Sequence, residues 1–198
     1  MQHLLKRFLI YLKDSNNILF KFILLRSDAT KKICQLTSQY FMKVYHGGYV
    51  AIEMPQILKS RFPKDFGEGF YCTESKQQAV RWASRYDTAV VSVYKYTPDK
   101  NLKMLVFKEM TEEWLDFIVD CRSGKKHNFD IVIGAMANDQ IYNYISDFID
   151  GILTREQFWV LAKFKHPTHQ MCFSNESALK HCNILIIRKI NNYDRQRR

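Results

Sequence analysis

The stretch from Asp65 to Trp82 reads D-F-G-E-G-F-Y-C-T-E-S-K-Q-Q-A-V-R-W and leaves the backbone few choices. Gly67 and Gly69 bracket Glu68, and glycine permits positive φ and a close approach that a Cβ would block. Phe70 and Tyr71 then alternate across a strand, so one ring packs the core while the other can stand over a pocket. Ser75 with Gln78 three residues on fits a capping box. Ala79, Trp82, Ala83 and Tyr86 follow at helical spacing. The stretch thus predicts loop, short strand and helix. It is not a dinucleotide fingerprint, which needs a third glycine before a helix. Nor is D-F-G here a kinase motif, because no H-R-D loop accompanies it. The plain alternative is a glycine-rich β-turn with an aromatic for packing.

The chain has 198 residues, which suggests one domain, or one domain with an appendage. Its five cysteines form no C-x-x-C pair, which argues for a reducing cytosol and against a disulfide framework or zinc ribbon. The formal net charge of +10 invites a polyanionic partner, but the ends carry nearly all of it. Residues 1–41 hold seven basic and two acidic side chains, residues 188–198 five and one, and the remainder is close to neutral. A nucleic-acid-binding role would therefore rest on the ends alone.

In residues 1–41 the apolar clusters Phe8 to Leu12 and Ile18 to Leu25 fall short of the roughly 20 residues needed to span a bilayer. No stable membrane insertion is expected. Met42 opens M-K-V-Y-H-G, a clean strand start, and residues 1–41 read as a basic extension outside the domain, or as an overlong reading frame. The domain is expected over 42–190, with 191–198 a basic disordered tail.

Lys43 to His46 reads as the first strand, and a histidine closing a strand ahead of Gly47 and Gly48 has both ring nitrogens available. Ala89 to Tyr96 and Leu102 to Phe107 read as further strands. Thr111 caps a helix with Trp114, Phe117, Ile118 and Cys121 on one face. Asp130 to Gly134 is a short buried strand, and Ile141 to Ile149 and Glu156 to Phe164 are helices joined at Gly151. In the strand around H-Q-M-C-F, Gln170 and Cys172 face away from Met171 and Phe173. Ser174 caps a short helix through His181, and Ile184 to Ile190 closes the sheet as an apolar strand. His166 and His169 have no third ligand at a helpful spacing, so no metal is expected.

Three separated features line up in this order: strand-end His46 with Gly47, the G-x-G-x-Y strand ending at Tyr71, and Gln170 late in the chain. Together they resemble the H-Y-E signature of ADP-ribosyltransferases of the diphtheria-toxin and poly(ADP-ribose) polymerase class. M-K-V-Y-H-G, D-F-G-E-G-F-Y-C-T, D-I-V-I-G and H-Q-M-C-F-S-N-E-S-A-L look closer still to a family of small bacterial ADP-ribosyltransferase-like proteins, often linked to toxin-antitoxin pairs. The likeness covers about Met42 to Ile187.

The resemblance implies an α+β fold with a split β-sheet core, peripheral helices and NAD as co-substrate in the cleft between two small sheets. It implies that His46 binds a ribose hydroxyl, Gly47 offers its backbone to the nicotinamide carboxamide, and Gly69 lets the backbone come close. Tyr71 would stack on the nicotinamide, with Trp82 as a second aromatic or as helix core. Gln170 stands where the class has its catalytic glutamate, which favours transfer of a single ADP-ribose. The implied activity is cytoplasmic mono-ADP-ribosylation of a protein or nucleic acid, by a toxin with a small antitoxin protein as partner. The alternative is a non-catalytic NAD- or ADP-ribose-binding module of the same fold that mediates protein contacts.

Overall fold

The computed structural model describes residues 41–59, 62, 64–137, 139–162 and 168–191. The chain divides after Tyr40. The basic extension up to Tyr40, His166 and the tail from 192 onward lie outside the described residues, as do the expectations that fall on them. Seven strands and five helices are described, and the fold is α+β.

The strands are β1 (Met42–Gly48), β2 (Phe70–Cys72), β3 (Val90–Tyr96), β4 (Met104–Val106), β5 (Ile131–Ala135), β6 (His169–Phe173) and β7 (Cys182–Lys189). The helices are α1 (Lys76–Ala83), α2 (Glu112–Arg122), α3 (Asp139–Ile149), α4 (Arg155–Leu161) and α5 (Glu176–Leu179). One sheet has the order β1-β3-β7 and is antiparallel, with Tyr45 opposite Val93 and Val93 opposite Ile186. The other has the order β2-β6-β5-β4, antiparallel except where β4 runs parallel to β5.

The elements stack in four layers. Between the sheets lies a core of Val44, Tyr94 and Tyr96 from the first sheet against Phe70, Ile131, Met171 and Phe173 from the second. On the far face of the second sheet, Val132, Ala135 and Cys172 pack against Trp114, Leu115 and Ile118 of α2, Ile141 and Ile145 of α3, and Phe158 of α4. On the far face of the first sheet, α1 sets Ala79 and Ala83 against Val91 and Val93. Because the second sheet is covered on both faces, Met171 and Cys172 are both buried although they point opposite ways. The expected alternation at β6 holds, and neither side of it faces water.

The caps show which local signals the chain obeys. Thr111 accepts from the Trp114 N–H, and Thr154 forms a full capping box with Gln157. Ser75 accepts from the Gln78 N–H, but the Gln78 carboxamide meets the Thr73 hydroxyl at 2.9 Å, so the expected box at α1 is only half made. The last helix is capped by Asn175 rather than Ser174, and its Oδ1 accepts from the Ala178 N–H. β7 closes the three-stranded sheet as its edge, as expected, with Ile184, Leu185 and Ile186 exposed.

Candidate functional site

Among the described residues one backbone bridge joins the two sheets edge to edge. The Tyr45 N–H donates to Thr73 O at 2.8 Å and the Thr73 N–H donates to Tyr45 O at 2.9 Å; among the described residues β1 and β2 pair nowhere else. One residue further along β1 the strands part, and the side chain of His46 takes up the gap. Its Nδ1 donates to Tyr71 O at 2.7 Å while the ring stacks on Phe70, with centroids 4.9 Å apart. A carbonyl only accepts, so the proton sits on Nδ1 and Nε2 is left as an acceptor. One ring nitrogen is therefore spare, where the sequence suggested two. Burial lowers the His46 pKa below its ordinary 6.5, against a smaller upward pull from the Tyr71 carbonyl.

The backbone of Gly47 faces the same gap. In an antiparallel strand the N–H and C=O groups change sides at each residue. Tyr45 spends both of its groups on Thr73, so those of Gly47, two residues on, also point away from β3 and toward β2. A Cβ on Gly47 would stand 2.1 Å from Ala79 O of α1, so glycine is required here by the approach of the helix, whatever else binds. Gly69 has an equally local reason: its Cβ would lie 2.4 Å from Cys172 Sγ and 2.7 Å from Phe173 O.

Tyr71 is opposite Cys172 in the β2–β6 register, and its ring packs at the margin of the helix-covered core. Its hydroxyl accepts from the Phe66 N–H at 3.1 Å and donates to Gly67 O at 2.7 Å. Burial, reinforced by Cys172, pushes the phenol far above its ordinary pKa, so it stays protonated. The side chain thus clasps the glycine turn as well as presenting a ring, a constraint the expectation of a free ring over a pocket did not contain. Gly67 supplies that turn with φ +75°.

Gln170 lies on the same face, one diagonal from Tyr71 across the strand pair, about 7–8 Å by ordinary sheet geometry. It is 9% exposed, and its Nε2 donates to Asp65 Oδ2 at 2.9 Å. Asp65 also accepts from the Ala137 N–H at 3.1 Å and from Arg122 Nε at 3.1 Å, with Arg122 Nη2 closing an ion pair. Arg122 in turn donates from Nη1 to Tyr142 O at 3.0 Å and lies 4.0 Å over the Tyr142 ring. Asp65 and Arg122 are each 8% exposed. Sequence reasoning missed both. Asp65 precedes a turn, and Arg122 in a last helical turn reads as an ordinary dipole partner.

Trp82 is not the helix-core residue that one of its two expected readings made it. It is 37% exposed at the end of α1, with Arg85 stacked 4.2 Å over its ring, while the helix buries Gln78, Ala79 and Ala83. Tyr86 is exposed too and meets Tyr49 at 5.3 Å. The structure therefore joins His46 to Tyr71 through the latter's carbonyl. It sets Tyr71 and Gln170 on one face, and leaves Trp82 on the rim of α1.

Three buried thiols are poor nucleophiles: burial raises Cys172 to about 11 and Cys121 to about 12, and holds Cys72 well above its ordinary value. Among the described residues no group of three His, Cys, Asp or Glu could hold a metal ion. No helix among them is long and apolar enough to cross a membrane.

The chain belongs to the family described as Protein of unknown function (DUF3990), which matches residues 42–184. The match begins with β1 and takes in His46, Tyr71, Trp82 and Gln170, so every candidate residue lies inside it. No curated protein matches the chain.

Proposed function

We propose that this protein is an NAD-dependent mono-ADP-ribosyltransferase whose dinucleotide binds where β1 and β2 part, within an ADP-ribosyltransferase-type split sheet. The observation that carries this reading is the junction itself. His46 spans the gap to the Tyr71 carbonyl while the Gly47 N–H and C=O point into it. That pair of groups matches a carboxamide, which both donates and accepts. The spare Nε2 of His46 suits a ribose hydroxyl, and Tyr71 and Trp82 offer aromatic faces on the strand and the helix.

In the proposed reaction the bond from ribose C1' to the nicotinamide nitrogen breaks, nicotinamide leaves, and an acceptor atom bonds to C1'. The transition state resembles an oxocarbenium ion, as in glycoside hydrolysis. Gln170 can hold a ribose hydroxyl but brings no charge. A carboxylate about 4 Å from the cation would contribute about 4 kcal/mol at an effective dielectric of 20. Its lack corresponds to roughly three decades in rate. Glu68 and Glu176 are exposed, and Asp65 is already matched by Arg122. Slow transfer of one ADP-ribose to a macromolecule is the activity this site suits, in the cytoplasm, with a small antitoxin protein as a partner.

The same neutrality supports a second reading, a module that binds NAD or ADP-ribose without turnover. Incubating the protein with NAD labelled in the adenylate phosphate and a bacterial lysate separates the two. Transfer predicts macromolecular label that is lost in His46→Ala and removed by either protease or nuclease. NAD binding without label selects the module, and neither binding nor label refutes both.

A further inference from the structure

Residue 170 is a glutamine, and Asp65 gives a physical reason for it. The Asp65 carboxylate can only accept, and its two oxygens already take the Arg122 guanidinium and the Ala137 N–H. The remaining position is filled by Gln170 Nε2 at 2.9 Å, from a strand 105 residues away in sequence. A glutamate at 170 would instead set two carboxylates against each other, and such a pair keeps a proton. The amide orientation follows from the same geometry: with the nitrogen turned to Asp65, the oxygen must turn away from it.

We propose that Asp65 is a positioning residue that holds the Gln170 carboxamide nitrogen inward and so aims its oxygen outward as a neutral acceptor for a hydroxyl of the nicotinamide ribose. This rests on the NAD reading above. Asp65 joins the glycine turn that Tyr71 clasps to the strand that carries Gln170, so the ring and the amide are set by one buried network. Within it Arg122 is the cation, and the other titratable neighbours, Tyr71, Cys121 and Cys172, are held neutral by burial.

The test exchanges the two groups. Gln170→Glu places a carboxylate against Asp65. Asp65→Asn with Gln170→Glu moves the carboxylate to position 170 and the amide to position 65, where the amide oxygen faces Arg122 and the amide nitrogen faces residue 170 at the cost of the bond that Asp65 Oδ2 accepts from the Ala137 N–H. Carboxyl carbons of labelled glutamate are titrated by NMR without NAD, and NAD hydrolysis is followed against pH. In the single variant residue 170 is expected to titrate above the ordinary glutamate range, and in the double variant at least about one unit lower. The pH midpoint of hydrolysis should move by the same amount. Identical titrations in the two variants overturn the contact, and different titrations with coincident hydrolysis profiles overturn the positioning role. A shifted titration with no NAD binding by any variant, wild type included, refutes the NAD reading and with it the outward half of the proposal. Should the double variant fail to fold, Gln170→Met decides: at least tenfold weaker NAD binding with near-native melting supports the proposal, and unchanged binding overturns it.

Discussion

Arg122→Met should be the most damaging single change at a residue that touches no proposed ligand. The substitution keeps an unbranched side chain in the last turn of α2 and removes the two donors to Asp65, the donor to Tyr142 O and the stacking on Tyr142. Asp65 is then left as a buried carboxylate with only the Ala137 N–H and Gln170 for partners. Breaking one side of a buried ion pair costs about 3–5 kcal/mol. That is a large share of a total stability on the order of 5–15 kcal/mol. For a chain of this length each kcal/mol moves Tm by roughly 2–4 °C, so a fall of roughly 6–20 °C is expected. Arg155→Met is the matched control. Arg155 pairs with Glu112 and Asp116, but its side chain is 39% exposed, and exposed pairs contribute about 1 kcal/mol or less. Urea titration of both variants should show a large drop in midpoint for Arg122→Met at unchanged slope. A loss below about 1 kcal/mol, equal to that of Arg155→Met, would refute the claim that Asp65 depends on Arg122.

Gly47→Ala places a Cβ 2.1 Å from Ala79 O, so α1 must move off β1; overpacking of this kind costs about 1–3 kcal/mol, and NAD binding should weaken more than stability does, as calorimetric titration would show. His46 has a lowered pKa in the folded state, so folding favours its neutral form. Its contribution is complete above pH 6.5 and lost as pH falls below that value, and His46→Gln should flatten this part of the stability profile measured by urea titration. Trp82 is the most accessible ring of the proposed site, so NAD should quench tryptophan fluorescence in the wild type, and Trp82→Phe should abolish the quenching while the buried Trp114 still emits.

Local chemistry was legible in the sequence wherever one residue decides the outcome within a turn. Thr111 caps where expected, and Gly67 and Gly151 take positive φ where the chain must turn. The order strand, helix, strand around Tyr71 could be read for the same reason. What could not be read depends on partners far along the chain. Gln78 abandons its capping box because Thr73 offers a hydroxyl, and Asn175 outcompetes Ser174 as a cap while also donating to Asp130. The apolar run of β7 marks a strand, yet nothing in its composition says that Ile184, Leu185 and Ile186 stand exposed. Trp82 fits a helical apolar stripe by spacing, but the helix turns Ala79 and Ala83 to β3 and to Gly47 of β1 and leaves Trp82 exposed. The Asp65–Arg122–Gln170 network joins three segments with no shared periodicity, and no pattern along the chain could have assembled it.

In the proposed function NAD enters the gap between β1 and β2 with its carboxamide on the backbone of Gly47. This placement is tested most directly by following amide and indole signals of the isotopically labelled protein as NAD is added. Saturable shifts of the Gly47 amide and the Trp82 indole are expected, with nicotinamide alone moving Gly47. If both signals stay in place at millimolar NAD while the protein remains folded, the assignment of this junction as a dinucleotide site is contradicted.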